Sequence, residues 1–205
     1  GIEPKILIEG PPRREVPILL RQTSFKALEE PVLFAGEMRG THTARFGEIE
    51  QRGVALTPKG RALYDELLNK AGTGKDNLTH QLHLQEVFKA FPDSEFLLRQ
   101  QGLAWFRYRL TPSGEAHRQA IRPDDDPQPL IERGWLVAQP ITYEDFLPVS
   151  AAGIFQSNLG NETQARSHGN SSRDAFEQAL GCAVYDEFAL YQEAQDRSKR
   201  RCGLL

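Results

Sequence analysis

The sequence predicts an α/β (α+β) protein: a mixed sheet with covering helices and a C-terminal helix. Three observations carry this. Short apolar runs with period-two alternation are bounded by Gly-Pro and Pro-rich turns. Two later stretches place apolar residues at helical spacing. A capping Thr57 stands directly before Pro58, the signature of a helix start.

In chain order, Lys5 to Glu9 reads as a strand, Gly10-Pro11-Pro12 as a turn, and Val16 to Leu20 as an apolar run. Ser24 suits the cap of a short helix that Pro31 would stop, and Val32-Leu33-Phe34 reads as another strand. Thr41 to Gln51 is the most diagnostic strand. Thr57-Pro58 opens a helix with Leu63, Leu67 and Leu68 on one face, ended by Ala71-Gly72-Thr73-Gly74. Residues 77 to 91 follow with Leu84, Val87, Phe88 and Phe91 at i, i+3, i+4, i+7. Gly102 to Leu110, rich in aromatics, reads as a strand. Arg122 to Pro127, with two prolines and Asp124-Asp125-Asp126, reads as a solvated loop rather than a metal site. Trp135 to Val137 and Ile141 to Leu147 are strand-like, and Gly153 within Pro148 to Leu159 allows close backbone approach. Asn161 to Ser171 is polar and loop-like. Ser172 caps a terminal helix to about Ser198, with Phe176, Leu180, Ala183, Phe188 and Tyr191 inward.

A net charge of −3 offers no broad basic field for nucleic acid or an anionic membrane, and the tail Arg197 to Arg201 reads as a solvated helix end. No apolar run approaches the ~20 residues that span a bilayer. Cys182 and Cys202 are far apart and in no metal-binding spacing, which suits a reducing cytoplasm. The chain starts at Gly1 and leads at once into a strand, as though cut from something longer. Phosphate loops, dinucleotide fingerprints and Gly-x-Ser-x-Gly are all missing, so acyl and phosphoryl transfer have no support.

Period-two alternation from His42 to Gly53 puts Phe46, Glu48 and Glu50 on one face and Arg45, Ile49 and Gln51 on the other. At i, i+2 the two acids stand ~7 Å apart, too far for a tightly coupled pair. One acid acting as a metal ligand, with the second exposed or salt-bridged, is the simpler arrangement. His42 shares the parity of Glu48 but lies about 20 Å away along an extended strand, whereas ligands of one ion must converge. Elsewhere His80, His83 and Glu86 form the best independent metal constellation, without an evident fourth ligand. His117 and His168 fall in polar stretches and read as exposed.

Four segments carry a resemblance: Ile8 to Arg13, Leu20 to Phe25, Ala44 to Gly53 with Ala55 to Arg61, and Phe146 to Leu159. Together they resemble the 2-oxoadipate dioxygenase/decarboxylases, the hydroxyglutarate synthases of lysine catabolism. That family is similar to hydroxyphenylpyruvate dioxygenase, whose vicinal-oxygen-chelate modules hold Fe(II) with two His and one Glu. The resemblance implies that the mixed sheet is curved and vicinal-oxygen-chelate-like. It also implies that Glu48, within Glu48-Ile49-Glu50-Gln51-Arg52, is the metal ligand, with Glu50 in reserve. The family's Val-Ser substrate contact maps onto Val149 and Ser150.

The implied whole enzyme binds Fe(II), a 2-oxo acid and O2. Its two His ligands and a substrate-gripping Arg would come from a missing N-terminal part of the same polypeptide, which leaves the isolated chain inactive. Residues 1–76 are then the Glu-bearing unit of the oxygenase core, and 77–205 a helical and mixed region that completes the substrate pocket. The competing reading is a non-catalytic module that binds a small acid or a partner without iron.

Overall fold

A computed structural model describes residues 5–33, 39–72, 77–144 and 186–205, with side chains over 8–23, 49–72, 79–144 and 186–205. The mixed α/β class is as expected. β1 (Lys5–Glu9), β2 (Leu20–Leu33) and β3 (Arg39–Arg52) form an antiparallel sheet in the order β1-β2-β3. The expected helix at Ser24 does not form. Ser24 lies inside β2, paired with Leu7 on one side and Glu48 on the other, and ladder bonding on both sides outweighs a local capping preference. Pro31 is tolerated because, among the described residues, β1 pairs with β2 from Gln22 to Lys26 and takes no N–H from Pro31.

Beyond β3 the chain runs into the core. Gly53, Val54, Ala55 and Leu56 are all buried. Their backbone meets three other segments: Gly53 N donates to Leu19 O at 2.7 Å, Ala55 N to Ile141 O at 2.8 Å, and Ala55 O accepts from Trp105 N at 3.0 Å. A side chain on Gly53 would strike the Pro17 and Ile18 backbone, so only glycine allows this approach.

α1 (Pro58–Ala71) starts as its sequence predicts: Thr57 Oγ1 accepts from Gly60 N at 3.1 Å. Leu67 is buried and Leu63 and Leu68 pack beside it. α2 (Asn77–Val87) passes into a 3-10 turn over Phe88–Ala90, and Leu84, Phe88 and Phe91 are buried with Val87 packed against them. Arg14 pins the end of this helix. Its guanidinium donates to Phe91 O at 3.2 Å and Pro92 O at 2.6 Å and pairs with Asp93 at 3.4 Å. Burial pulls its pKa down, with Asp93 opposing.

The short helices α3 (Glu95–Gln100) and α4 (Pro112–Ala116) were not anticipated. A Thr111-Pro112 start repeats the signature that marks α1, and Thr111 Oγ1 accepts from Gly114 N at 3.0 Å. The acidic loop is structural: Asp125 accepts from Arg122 N at 2.7 Å, and Asp126 caps α5 (Pro127–Glu132) through Gln128 N at 3.0 Å. β4 (Phe106–Leu110) begins later than expected and pairs antiparallel with β5 (Leu136–Pro140). The run from Ile141 is not a strand within the described residues; Thr142 makes only an isolated bridge to Val54.

α6 (Glu187–Cys202) starts at an extended Asp186 that caps it, so the expected unbroken helix from Ser172 to about Ser198 is not formed; Ser172 itself lies outside the described residues. It covers the free edge of β4, where Phe106 N donates to Gln195 Oε1 at 3.0 Å and Tyr108 N to Ser198 Oγ at 2.9 Å. Arg197 and Arg200 both reach Glu193, consistent with a solvated helix end. Among the described residues no helix is long and apolar enough to cross a membrane.

Tyr64, buried against Phe88 at a ring separation of 5.5 Å, has its phenol pushed up to about 12 by burial. The folded chain therefore keeps this proton where the unfolded chain, near the usual phenol value of ~10, has lost it. Its stabilising contribution is complete below pH ~10 and disappears as pH rises toward about 12, a loss of roughly 2–3 kcal/mol. Urea midpoints at pH 9 and pH ~11.5 should fall less for Tyr64→Phe than for the parent chain. Equal falls would remove Tyr64 from the alkaline transition.

Candidate active site

The candidate site is built on the β2–β3 ladder. Glu48 stands opposite Ser24 and Glu50 opposite Gln22, with no irregularity between these two pairs, so both acids occupy the same register row. Above Glu48 the alternation breaks. Ser24 pairs with Glu48 but Phe25 pairs with Phe46, which leaves Gly47 as an extra residue in β3. Phe46 thereby takes the parity of Thr23 and Ile49, not that of Glu48 and Glu50, correcting the expectation from strict alternation. His42, paired with Glu30, lies beyond the same irregularity, a second reason besides distance to separate it from Glu48.

Glu50 is engaged. Its Oε1 accepts from Gln22 Nε2 at 3.2 Å, and its Oε2 lies 3.4 Å from Arg52 Nη2. Gln22, on the central strand between Glu9 and Glu50, is only 6% exposed. The neighbouring register position holds Arg21, whose Nε is buried without a hydrogen-bond partner. Burial, then the charge of Arg13, lowers the Arg21 pKa. Ile49 is 60% exposed, and Glu50 on the opposite side of β3 is exposed as well.

The rival constellation does not assemble. His80 is half-buried with Nδ1 unpartnered, His83 is exposed, and Glu86 pairs with Lys89 at 2.5 Å. Among the described residues no three His, Cys, Asp or Glu side chains gather as a metal site. His117 is exposed, yet its ring stacks on Trp135 at 4.4 Å. Cys202 is buried, which raises its thiol pKa, and Cys182 lies outside the described residues.

Val149 and Ser150 also lie outside the described residues, but the chain leading to them is anchored. Tyr191 Oη accepts from Glu144 N at 2.8 Å and donates to Glu144 O at 3.0 Å. Sequence periodicity marks Tyr191 only as an inward residue of a helix; its clamp on Glu144 was not legible. A cleft of about 180 Å³ lies between Glu15–Pro17, Arg52–Val54, Pro140 and Thr142. It falls below the ~300 Å³ of ordinary ligand pockets, too small to enclose a substrate alone.

The family model for 2-oxoadipate dioxygenase/decarboxylase matches residues 1–158. The chain belongs to this family. It is 88% identical over 205 residues to the 2-oxoadipate dioxygenase/decarboxylase of Escherichia coli, covering all of this chain and 46% of the relative. The Pseudomonas putida relative is 51% identical over 212 residues, covering 99% of this chain and 46% of its own length. The chain thus spans under half the length of these family members.

Among solved structures, a Shigella flexneri protein superposes with TM-score 0.74 and 72% identity, covering 99% of this chain and 43% of that one. The hydroxyglutarate synthase of P. putida in complex with 2-oxoadipate superposes with TM-score 0.71 and 48% identity, covering 98% of this chain and 45% of that one.

Replacing Tyr191 with Phe removes both hydrogen bonds to Glu144 and should destabilise the fold by about 1–2 kcal/mol. Hydrogen exchange should show the Glu144 amide losing protection in this variant. Unchanged protection would mean that α6 does not hold this part of the chain.

Proposed function

We propose that this chain is the carboxylate-bearing C-terminal part of an Fe(II)-dependent, cytoplasmic 2-oxoadipate dioxygenase/decarboxylase of lysine degradation. The overall reaction balances: 2-oxoadipate and O2 give 2-hydroxyglutarate and CO2. Family membership over residues 1–158 carries the reading, supported by the P. putida relative that binds 2-oxoadipate.

The described residues do not form a complete ligand set, and one carboxylate cannot specify a transition metal. The chain fits iron as one contributor: Glu48 supplies an oxygen donor, and two imidazoles come from the remainder of a protein of the relatives' length. When bound, iron held in this way would chelate the 2-oxo acid and activate dioxygen. Val149 and Ser150, through a backbone amide and a hydroxyl, orient the substrate carboxylate. Gly47, by interrupting the ladder beside Glu48, aims the strand at this point, a common use of a bulge next to an active site.

The test is Glu48→Ala in the full-length protein. We expect near-complete loss of bound iron by elemental analysis and of 2-oxoadipate-dependent oxygen uptake. Normal values for both would remove Glu48 from the site, and a parent protein inert toward 2-oxoadipate would favour a non-catalytic module.

A further inference from the structure

We propose that Gln22, together with Arg52, is a positioning residue that restrains Glu50 and so leaves Glu48 as the acid of β3 that binds iron; this rests on the function proposed above. Gln22 sits on the central strand of its sheet at 6% exposure, where a carboxamide costs free energy unless hydrogen-bonded. Its Nε2 is spent on Glu50 Oε1 at 3.2 Å, and Arg52 stands at 3.4 Å from Oε2. Both oxygens of Glu50 are thereby occupied from within the chain.

The restraint has a chemical purpose. Glu48 and Glu50 are successive residues of one row of the β2–β3 ladder, ~7 Å apart along the strand, so Glu50 is the neighbouring acid that competes most directly for an ion bound at Glu48. A second carboxylate on iron would take one of the positions a bidentate 2-oxo acid requires. Two donors on Glu50, one of them a cation, oppose that exchange.

The experiment uses the full-length iron-loaded protein and the variants Gln22→Met and Gln22→Met/Glu50→Gln. Gln22→Met keeps the volume and removes the donor. It should raise KM for 2-oxoadipate about tenfold, the usual scale for groups that orient metal ligands, with iron occupancy unchanged and kcat little altered. Adding Glu50→Gln, which turns the competing acid into a poor ligand, should return KM close to the parent value. A merely structural role for Gln22 would not be rescued in this way.

Arg52→Met, at a more exposed position, should shift KM in the same direction and covers the case in which Gln22→Met does not fold. An unchanged KM in the folded variants, a raised KM that Glu50→Gln fails to restore, or loss of iron from Gln22→Met would each overturn the proposal. Glu48→Gln is prepared alongside. If it keeps its iron, the underlying assignment of Glu48 fails as well, whichever way the Gln22 variants behave.

Discussion

The buried backbone of Gly53 to Leu56 is the constraint on which the described structure depends. Gly53, Val54 and Ala55 have their amides and carbonyls hydrogen-bonded to the 17–19 stretch, to Trp105 and to Ile141–Tyr143, and Thr57 N just beyond donates to Leu103 O. Each bond contributes about 1 kcal/mol net, but leaving any of them unmade inside the core would cost more. β3 enters this junction directly, so the ladder that carries Glu48 and Glu50 is fixed at its lower end. Glycine at 53, and again at Gly60 against the Leu103 carbonyl, is what lets the backbones come so close.

Much of this architecture is legible in the sequence where local signals agree with tertiary ones. Thr57-Pro58 predicts a helix start that the structure realises, and the spacing of Leu84, Phe88 and Phe91 places them in the core as expected. Ser24 and Pro31 mislead because their preferences are local, while β2 is held by neighbours on both sides through Lys26 and, among the described residues, by β3 alone beyond. The insertion of Gly47 is invisible to periodicity, since an extra residue shows only once its partner strand is aligned. Thr111-Pro112 offers the same evidence for α4 that Thr57-Pro58 offers for α1, whereas α3 has only the Ser94 cap to mark it.

The candidate site is less legible than the fold, for a physical reason. On the proposed reading the other metal ligands come from polypeptide outside this chain, so residue spacing narrows the choice only to two acids on one strand. Resemblance to the family singled out Glu48. The structure adds that Glu50 is already committed to Gln22 and Arg52, an arrangement no reading of β3 alone could supply because Gln22 lies 28 positions earlier.

The central claim is that β3 delivers one carboxylate, that of Glu48, to a metal otherwise held from elsewhere. Its most direct test is a crystal structure of the iron-loaded full-length protein with anomalous data collected at the iron edge. The account predicts a single anomalous peak at about 2.0–2.2 Å from a Glu48 carboxylate oxygen, the usual metal–carboxylate distance, with Glu50 still bonded to Gln22. A peak coordinated by Glu50, or one remote from β3, would contradict it.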